Sequence, residues 1–583
     1  MTRESLVENL EKIALLLELK GENPFKVKAY RSGAESVSSY QGDVVRAAQE
    51  SGLKGVKGIG TALQEKIQTL ASTGSLPYLE TLKQEFPESL FDLFDIQGLG
   101  PKKIKALYDE LGVDSLDRLR QACHDGSAAT LKGFGEKSVS KLLEEISYSE
   151  ANSAFVRQDK AAASVEWLLE FLRSQPETIR ASAAGSWRRA KEILHDIDLI
   201  VATRQPGTLM ASFVSAPFVK QVIAQGETKS SIRMGDGTQV DLRAVSNEEF
   251  PFALQYFTGS KEHNVALRSR ARSRGWTLNE YRLARLEGHP AEDDNPAILD
   301  EDDIYRFLGL QPIDPALRED RGEIDAASSG RLPKLVELSD IRGTFHNHTT
   351  ASDGDASLEE MAEAAIDLGL EYLGIADHSK SSFQANGLDE ARLLRQIDDI
   401  RHLNGVFQST AANFRLFAGS EVDILKDGRL DYPDEILAQL DYAVASIHSS
   451  FSLSGSQMTR RLITAAENPH ITMLGHLTGR LLLRREAYQV DVPAVIEACA
   501  ATGTVIELNA SPWRLDMDWR WWHQAKQSGV RCSINPDAHS TSGLQSLYFG
   551  VRCARKGWLE KADVINTMPL QVMQGWLKAG SPA

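Results

Sequence analysis

Gly185-Ser186-Trp187-Arg188-Arg189-Ala190-Lys191-Glu192, followed by His195-Asp196-Ile197-Asp198-Leu199-Ile200-Val201, is the stretch on which the reading of this chain turns. Its second half reads as a strand. Asp196 and Asp198 lie two residues apart on it, so both carboxylates project from one face. Thr238-Gln239-Val240-Asp241-Leu242-Arg243-Ala244-Val245 alternates as a second strand and adds Asp241. Three carboxylates converging on one face suit two magnesium ions. Two such ions can activate an attacking hydroxyl and stabilise a leaving oxygen. Gly185 and Ser186 open a helix with Arg188 and Arg189 behind them, a setting that suits a triphosphate. Any one of these aspartates would pass for an edge-strand or turn residue. The combination of Gly-Ser, Arg-Arg, Asp-x-Asp and a later strand Asp points to a metal and nucleotide site.

Upstream, residues 1–150 read as almost wholly helical. Leu6, Leu10, Ile13, Leu16 and Leu17 recur at helical spacing. Three copies of one five-residue pattern punctuate the helices: Val56-Lys57-Gly58-Ile59-Gly60, Ile96-Gln97-Gly98-Leu99-Gly100 and Leu131-Lys132-Gly133-Phe134-Gly135. Each opens into a helix carrying lysines, among them Lys66, Lys102, Lys103, Lys105, Lys137 and Lys141. Glycine permits a tight turn and close approach of a ligand. Backbone N–H groups at a helix start suit a phosphate oxygen, so such turns read a nucleic-acid backbone rather than its sequence. One Gly-x-Gly is an ordinary turn; three alike suggest repeated use.

Downstream of residue 340, short apolar runs alternate with helical stretches, often enough to close a parallel barrel. The runs end near residues 346, 376, 420, 447, 475, 508 and 534. Of 13 histidines, nine fall here: His346, His348, His378, His402, His448, His470, His476, His523 and His539. His378, His448, His476 and Asp537-Ala538-His539 each follow an apolar run, which in a parallel barrel is the face where active sites are built. Imidazoles and carboxylates without thiolates suit zinc, manganese or iron, and a polymetal site suits hydrolysis of phosphate esters. His402, His470 and His523 read as structural or surface residues. Trp513, Trp519, Trp521 and Trp522 read as packing rather than as stacking platforms.

Composition sets outer limits. A chain of 583 residues exceeds one core and suggests about four units. Its 42% hydrophobic and 25% charged residues are ordinary for a globular protein. No apolar run reaches the length of a membrane span, and no signal peptide opens the chain, so the cytoplasm is expected. Cys123, Cys499, Cys532 and Cys553 form no C-x-x-C pair, which excludes a zinc ribbon. The formal net charge of -16 means that DNA binding must rest on local sites. Glu292-Asp293-Asp294-Asn295-Pro296 and Asp300-Glu301-Asp302-Asp303 read as a solvated acidic face.

The G-S-x-R-R…D-x-D pattern, with Tyr256-Phe257-Thr258-Gly259-Ser260, His263-Asn264 and Arg268, resembles the nucleotidyltransferase core of the X family of DNA polymerases. The resemblance covers residues 1 to about 312, and the glycine repeats resemble helix-hairpin-helix motifs. It implies that Asp196 and Asp198 hold two metals and that Asp241 completes the site at the primer 3′-hydroxyl. Gly185, Ser186, Arg189 and Gly259 would hold the triphosphate. Tyr256 and Phe257 would contact the sugar, and Asn264 and Arg268 would approach the nascent pair and template. The turn glycines Gly58, Gly60, Gly98, Gly100, Gly133 and Gly135, with Lys26 and Tyr30, would contact DNA. Lys66 stands where the family carries a deoxyribose-phosphate lyase nucleophile, although Ala62 replaces a lysine of the animal members.

His346, His348, Asp353, His378, Glu421, His448, His476, Asp537 and His539 together resemble the ligand set of the PHP (polymerase and histidinol phosphatase) domain, a distorted (β/α)7 barrel binding three metals. Thr344 and Pro536 depart from that pattern without removing a ligand. The whole resembles bacterial X-family polymerases with a PHP domain. The expected architecture is a multidomain α/β chain: an N-terminal helical domain with the first hairpin, 1–85; a helical fingers-type domain with two hairpins, 86–150; a nucleotidyltransferase palm and nucleotide-selection subdomain, 151–312; a linker, 313–340; and a PHP domain, 341–583. The expected function is short-gap filling in base excision repair, coupled to a 3′–5′ exonuclease or other 3′-end or abasic-site phosphoesterase. Expected cofactors are Mg²⁺ or Mn²⁺ in the palm and three ions of Mn²⁺, Zn²⁺ or Fe in the barrel. Expected partners are gapped or primed DNA and deoxynucleoside triphosphates, with the protein a monomer and no membrane involved. Two other readings are a DNA-end scaffold with degraded catalysis, and a non-DNA nucleotidyltransferase fused to a small-molecule phosphatase.

Overall fold

The computed structural model describes residues 3–579 apart from 39, 41–43, 52, 57, 97–98, 153, 287–296 and 410–412. Gly98 and the acidic run Glu292–Pro296 therefore lie outside the described residues. The chain forms two compact units: residues 1–153 with 483–485 and 540–542, and residues 154–482, 486–539 and 543–583.

The first unit is helical. Leu6, Leu10, Ile13, Leu16 and Leu17 are fully buried on one face of the helix Arg3–Lys20, as their spacing predicts. Gly60 and Gly100 are the N-caps of the helices Thr61–Thr73 and Pro101–Leu111. Gly135 precedes the helix Glu136–Asn152. Gly58 and Gly133 adopt φ of 86° and 94°, the left-handed region that favours glycine. The last glycine of each turn thus sits at a helix start.

Besides two two-stranded sheets, the second unit holds two larger sheets that differ in exposure. The palm sheet comprises β1 (Thr178–Ala183), β2 (Ile197–Thr203), β3 (Val219–Gln225), β4 (Lys229–Met234) and β5 (Gln239–Val245), in the order β1-β2-β5-β4-β3. β2 and β5 are parallel and pair Asp198 opposite Asp241; the other pairings are antiparallel. Along β5 buried and half-buried residues alternate, the mark of a sheet with one covered face. The helix Gln158–Ser174 buries Ala161, Val165, Leu168 and Leu172 in the palm core.

The second sheet is all parallel: β6 (Gly343–Thr344), β7 (Tyr372–Ile375), β8 (Arg415–Asp423), β9 (Tyr442–Ser446), β10 (Met473–Leu474), β11 (Val505–Asn509) and β12 (Cys532–Asn535), in sequential order. A parallel bridge between Asn347 and Ala538 joins the two ends, so the sheet is a nearly closed seven-stranded barrel. Its strands are buried almost throughout, as expected when helices cover the outside and side chains fill the inside.

Residues 313–340, expected as a linker, are packed rather than open. Ile313, Leu317, Ala327 and Leu335 join a core with Leu278, Ile304 and Tyr305. Arg318 is 1% exposed and pairs with Glu301. Glu301 in turn leaves the solvated face expected of it: it is buried, and Arg188 grips it at 2.6 Å. Two arginines, buried Arg318 and half-buried Arg188, converge on one carboxylate, override the local polarity of Asp300–Asp303 and hold its pKa down to about 2 against the upward push of burial. No described helix is long and apolar enough to cross a membrane. All four cysteines are free and buried.

Candidate active sites

The palm site begins with a steric fit. The short helix Gly185–Arg188 starts immediately beside β2, and Gly185 has φ of 57°. A Cβ on Gly185 would lie 1.9 Å from Asp198 Oδ2. The glycine is what lets the helix start and the aspartate share one place. Gly259, at φ of 71°, plays the same part for Arg189, whose Nη1 would be 3.1 Å from an added Cβ. Arg189 donates to Thr258 O and, at 3.0 Å, to Glu319. Arg188, expected behind the triphosphate, is instead held by Glu301 and by Thr258 Oγ1 at 2.7 Å.

A cleft of roughly 650 Å³ is lined by Gly185, Ser186, Arg189, Asp196, Asp198, Tyr256, Phe257, Gly259, Asn264 and Arg268. Asn264 donates to Tyr256 O at 2.7 Å and accepts from Gln255 at 2.8 Å, which fixes the segment carrying both aromatic rings. Burial and the adjacent Asp196 and Asp241 push the Asp198 carboxyl up to about 7; burial and Asp241 raise Asp196. Crowded carboxylates of this kind are relieved by a cation. Asp241 behaves differently. Against burial, hydrogen bonds from Lys229, Gln239 and Ser231 hold its pKa down, and Lys229 Nζ lies 3.0 Å away.

In the first unit, Lys66 Nζ donates to Tyr30 Oη at 2.5 Å and sits 4.1 Å from the centroid of the Tyr78 ring. Burial, helped by Lys26, lowers its pKa. Tyr30 is only 4% exposed, so it supports Lys66 rather than offering a surface to DNA.

At the ends of the barrel strands, the nine expected ligands converge. Glu421 is the centre: His378 Nδ1 and His476 Nε2 lie 2.9 Å from its oxygens, His448 Nε2 3.2 Å and His346 Nε2 3.3 Å. Asp537 lies 3.2 Å from His348 Nε2, and Asp353 lies 3.5 Å from His539 and 3.6 Å from His378. Among the described residues, three groups have ligand atoms within 4.8 Å of one another: His348, Asp353, His378 and His539; His346, His348 and Asp537; His378, Glu421 and His448. The palm aspartates do not form such a group. Asp537 holds φ of 54°, a strained backbone of the sort that clusters at functional sites.

The donor set fits metal ions. His346 Nε2, both nitrogens of His348 and His476 Nδ1 are buried with no hydrogen-bond partner, which is costly unless something else accepts their lone pairs. Burial together with His539 and His378 draws His348 down to about 4, toward the neutral ligand form. Against burial, His448, His346 and His378 hold Glu421 ionised. Without a cation, the carboxylates instead draw protons onto His346, His378, His448 and His539, whose pKa values are raised, so metal binding here displaces protons.

Three supporting carboxylates stand outside the expected ligand set. Glu507 accepts from His346 Nδ1 at 2.7 Å and from His476 N at 2.7 Å, and it takes further donors from Asn535 and Asn509. Asp423 lies 3.0 Å from His448 Nδ1. Asp377 accepts from Thr349 N and from the hydroxyls of Thr349 and Ser352, pinning the loop that carries Asp353. The available sign of Glu507 was a lone charge in the apolar run Val505-Ile506-Glu507-Leu508, which demands a buried partner.

A helical unit with glycine turns, a palm carrying a nucleotide cleft, and a parallel barrel with a histidine–carboxylate cluster define a class. The chain belongs to the bacterial X-family DNA polymerases with a C-terminal PHP domain. Residues 1–76 match a helix-hairpin-helix domain, 90–147 a SAM-like helix-hairpin-helix tandem, 253–319 the DNA polymerase beta thumb and 344–511 the PHP domain. The chain is 38% identical over 580 residues to the DNA polymerase/3'-5' exonuclease PolX of Bacillus subtilis (strain 168), covering 99% of this chain and 100% of that protein. The chain is also 33% identical over 204 residues to a probable phosphatase of Caldicellulosiruptor bescii, covering 33% of this chain and 78% of that one. A probable phosphatase of Syntrophotalea carbinolica is 31% identical over 171 residues, 29% of this chain and 65% of that one.

Proposed function

We propose that the chain is a DNA-directed DNA polymerase that fills short gaps during repair and trims 3′-ends with its PHP domain. The observation carrying this reading is the shared cleft, in which the Gly185–Ser186 helix start, Arg189, the Asp196 and Asp198 carboxylates and the Tyr256–Phe257 rings face one space. Magnesium or manganese held by Asp196, Asp198 and Asp241 would supply charge neutralisation at the primer end and the triphosphate. Ser186 and the helix-start amides bind the triphosphate, with Arg189 beside them. Tyr256 and Phe257 set the sugar, and Asn264 and Arg268 set the base pair. Lys229, 3.0 Å from Asp241, keeps that carboxylate ionised and so available to such an ion.

In the barrel, three ions of manganese, zinc or iron held by the nine ligands would supply a nucleophile and polarise the phosphodiester. Arg514, 3.4 Å from Asp537 at the wall of the same cleft, places a cation for the phosphate. Phe383, 78% exposed at the cleft mouth, offers a ring on which a terminal base can stack, which favours a nucleic-acid end over a small monoester. Lys66 is assigned as the lyase nucleophile.

The test is a denaturing gel with a 5′-labelled primer in gapped duplex, with and without deoxynucleotides, in magnesium and in manganese. Extension with nucleotides and shortening without them are expected. Asp196→Ala with Asp198→Ala removes extension and leaves shortening; His346→Ala with His348→Ala does the reverse. A folded double variant lacking both activities would contradict the two-site assignment.

A further inference from the structure

Lys556 closes the helix Leu547–Lys556 on the outside of the PHP barrel, yet it is 1% exposed and its partners are not those of the barrel's histidine–carboxylate cluster. Its ammonium donates to Glu319 Oε1 at 2.6 Å and to Arg189 O at 2.8 Å. Glu319 also receives Arg189 Nε at 3.0 Å and lies 3.4 Å from Lys191 Nζ. The PHP residue therefore touches the nucleotide-cleft arginine twice, once at its backbone and once through a shared carboxylate. The Trp519 ring, also from the PHP half, faces both Lys556 and Lys191 at 4.5 and 5.1 Å. A buried ammonium is retained only when charged and polar groups satisfy it. Here every hydrogen-bond partner of the Lys556 ammonium lies outside the PHP barrel, at Arg189, Ala316 and Glu319.

We propose that Lys556 is a positioning residue for nucleotidyl transfer: through Glu319 and the Arg189 carbonyl it fixes the Arg189 guanidinium in the triphosphate cleft. The PHP barrel thereby forms a wall of the polymerase site, apart from any hydrolysis it performs. Without the ammonium, Glu319 has only Arg189 and Lys191 to balance it, and the Arg189 carbonyl loses a donor. The guanidinium is then drawn toward Glu319 and away from the incoming nucleotide. This inference rests on the assignment of Arg189 to the triphosphate.

The experiment is a double-mutant cycle on the full chain, reading KM and kcat for single-nucleotide insertion, with 3′–5′ exonuclease activity measured on the same preparations. Lys556→Met is expected to raise KM for the nucleotide about tenfold while kcat changes by less than about threefold, a coupling of ordinary size for residues in contact. In an Arg189→Ala background the same substitution should add nothing. An unchanged KM in Lys556→Met, or an equal further rise in the Arg189→Ala background, overturns the proposal. An Arg189→Ala enzyme with unaltered KM would overturn the triphosphate assignment instead. Should Lys556→Met lose exonuclease activity through misfolding, Glu319→Gln, which keeps the lysine, carries the same expectation and the same refutation.

Discussion

Gly185 has no room for a side chain. Alanine there places a methyl 1.9 Å from Asp198 Oδ2 and forces an L residue to φ of 57°. The carboxylate must then move by about an ångström, and misplacement on that scale costs about a hundredfold in rate. Gly185→Ala should therefore slow gap filling about a hundredfold while leaving exonuclease activity intact, as read on the gapped primer. Lys66 makes a second prediction at this scale. Its lowered pKa and its contacts with Tyr30 and Tyr78 suit a nucleophilic amine. Borohydride should trap a covalent complex between the chain and incised abasic DNA, and Lys66→Ala should abolish it; an undiminished adduct would move the role to another lysine. Both positions were legible in the sequence. The ring of Tyr78 was not, because nothing in Leu76-Pro77-Tyr78 announces which helix it will face.

At the scale of elements, β11 carries its own instruction. Glu507 is a charge inside a strand whose other residues are buried, and it orients His346 and the backbone of His476. Substitution by Gln keeps the shape and removes the charge that favours Nδ1–H on His346. Loss of such support typically weakens metal binding about 10- to 100-fold. Titration of metal-stripped protein should show the manganese requirement for exonuclease activity shifted by that factor, with polymerase activity unaffected. The barrel strands could be read from sequence because each is a short apolar run closed by a ligand. Glu421, Asp423 and Glu507 broke the rule that ligands and supports follow the run, since all three lie within strands. The packed segment at 313–340 misled for the opposite reason. Pro312, Pro315 and Pro333 mark a linker by composition, whereas the partners of Arg318, Glu319 and Glu323 lie outside the segment, at Glu301, Lys556 and His263, which are 17, 237 and 60 residues away. Contacts made outside the segment leave no trace in its own composition.

For the whole molecule, two units with separate hydrophobic cores should unfold in separable steps. Ligands that bind only the folded state stabilise it, by about 4 kcal/mol at a thousandfold excess over Kd. Chelation strips the cluster around Glu421 and leaves its imidazoles unpartnered. Calorimetry should then show the transition of the barrel-containing unit falling by several degrees and that of the helical unit standing still. Movement of both transitions together would mean that the units unfold as one. The four cysteines complete the picture at this scale. All are buried, and burial raises the thiol pKa of each. Thiolates, not thiols, react with peroxide and maleimide. The enzyme thus offers no ready thiolate, and it should keep its activity in maleimide that inactivates enzymes with exposed cysteines. The same silence makes the natural chain a ready background for dyes: one cysteine introduced on each unit would take label alone and report their motion on a gapped duplex.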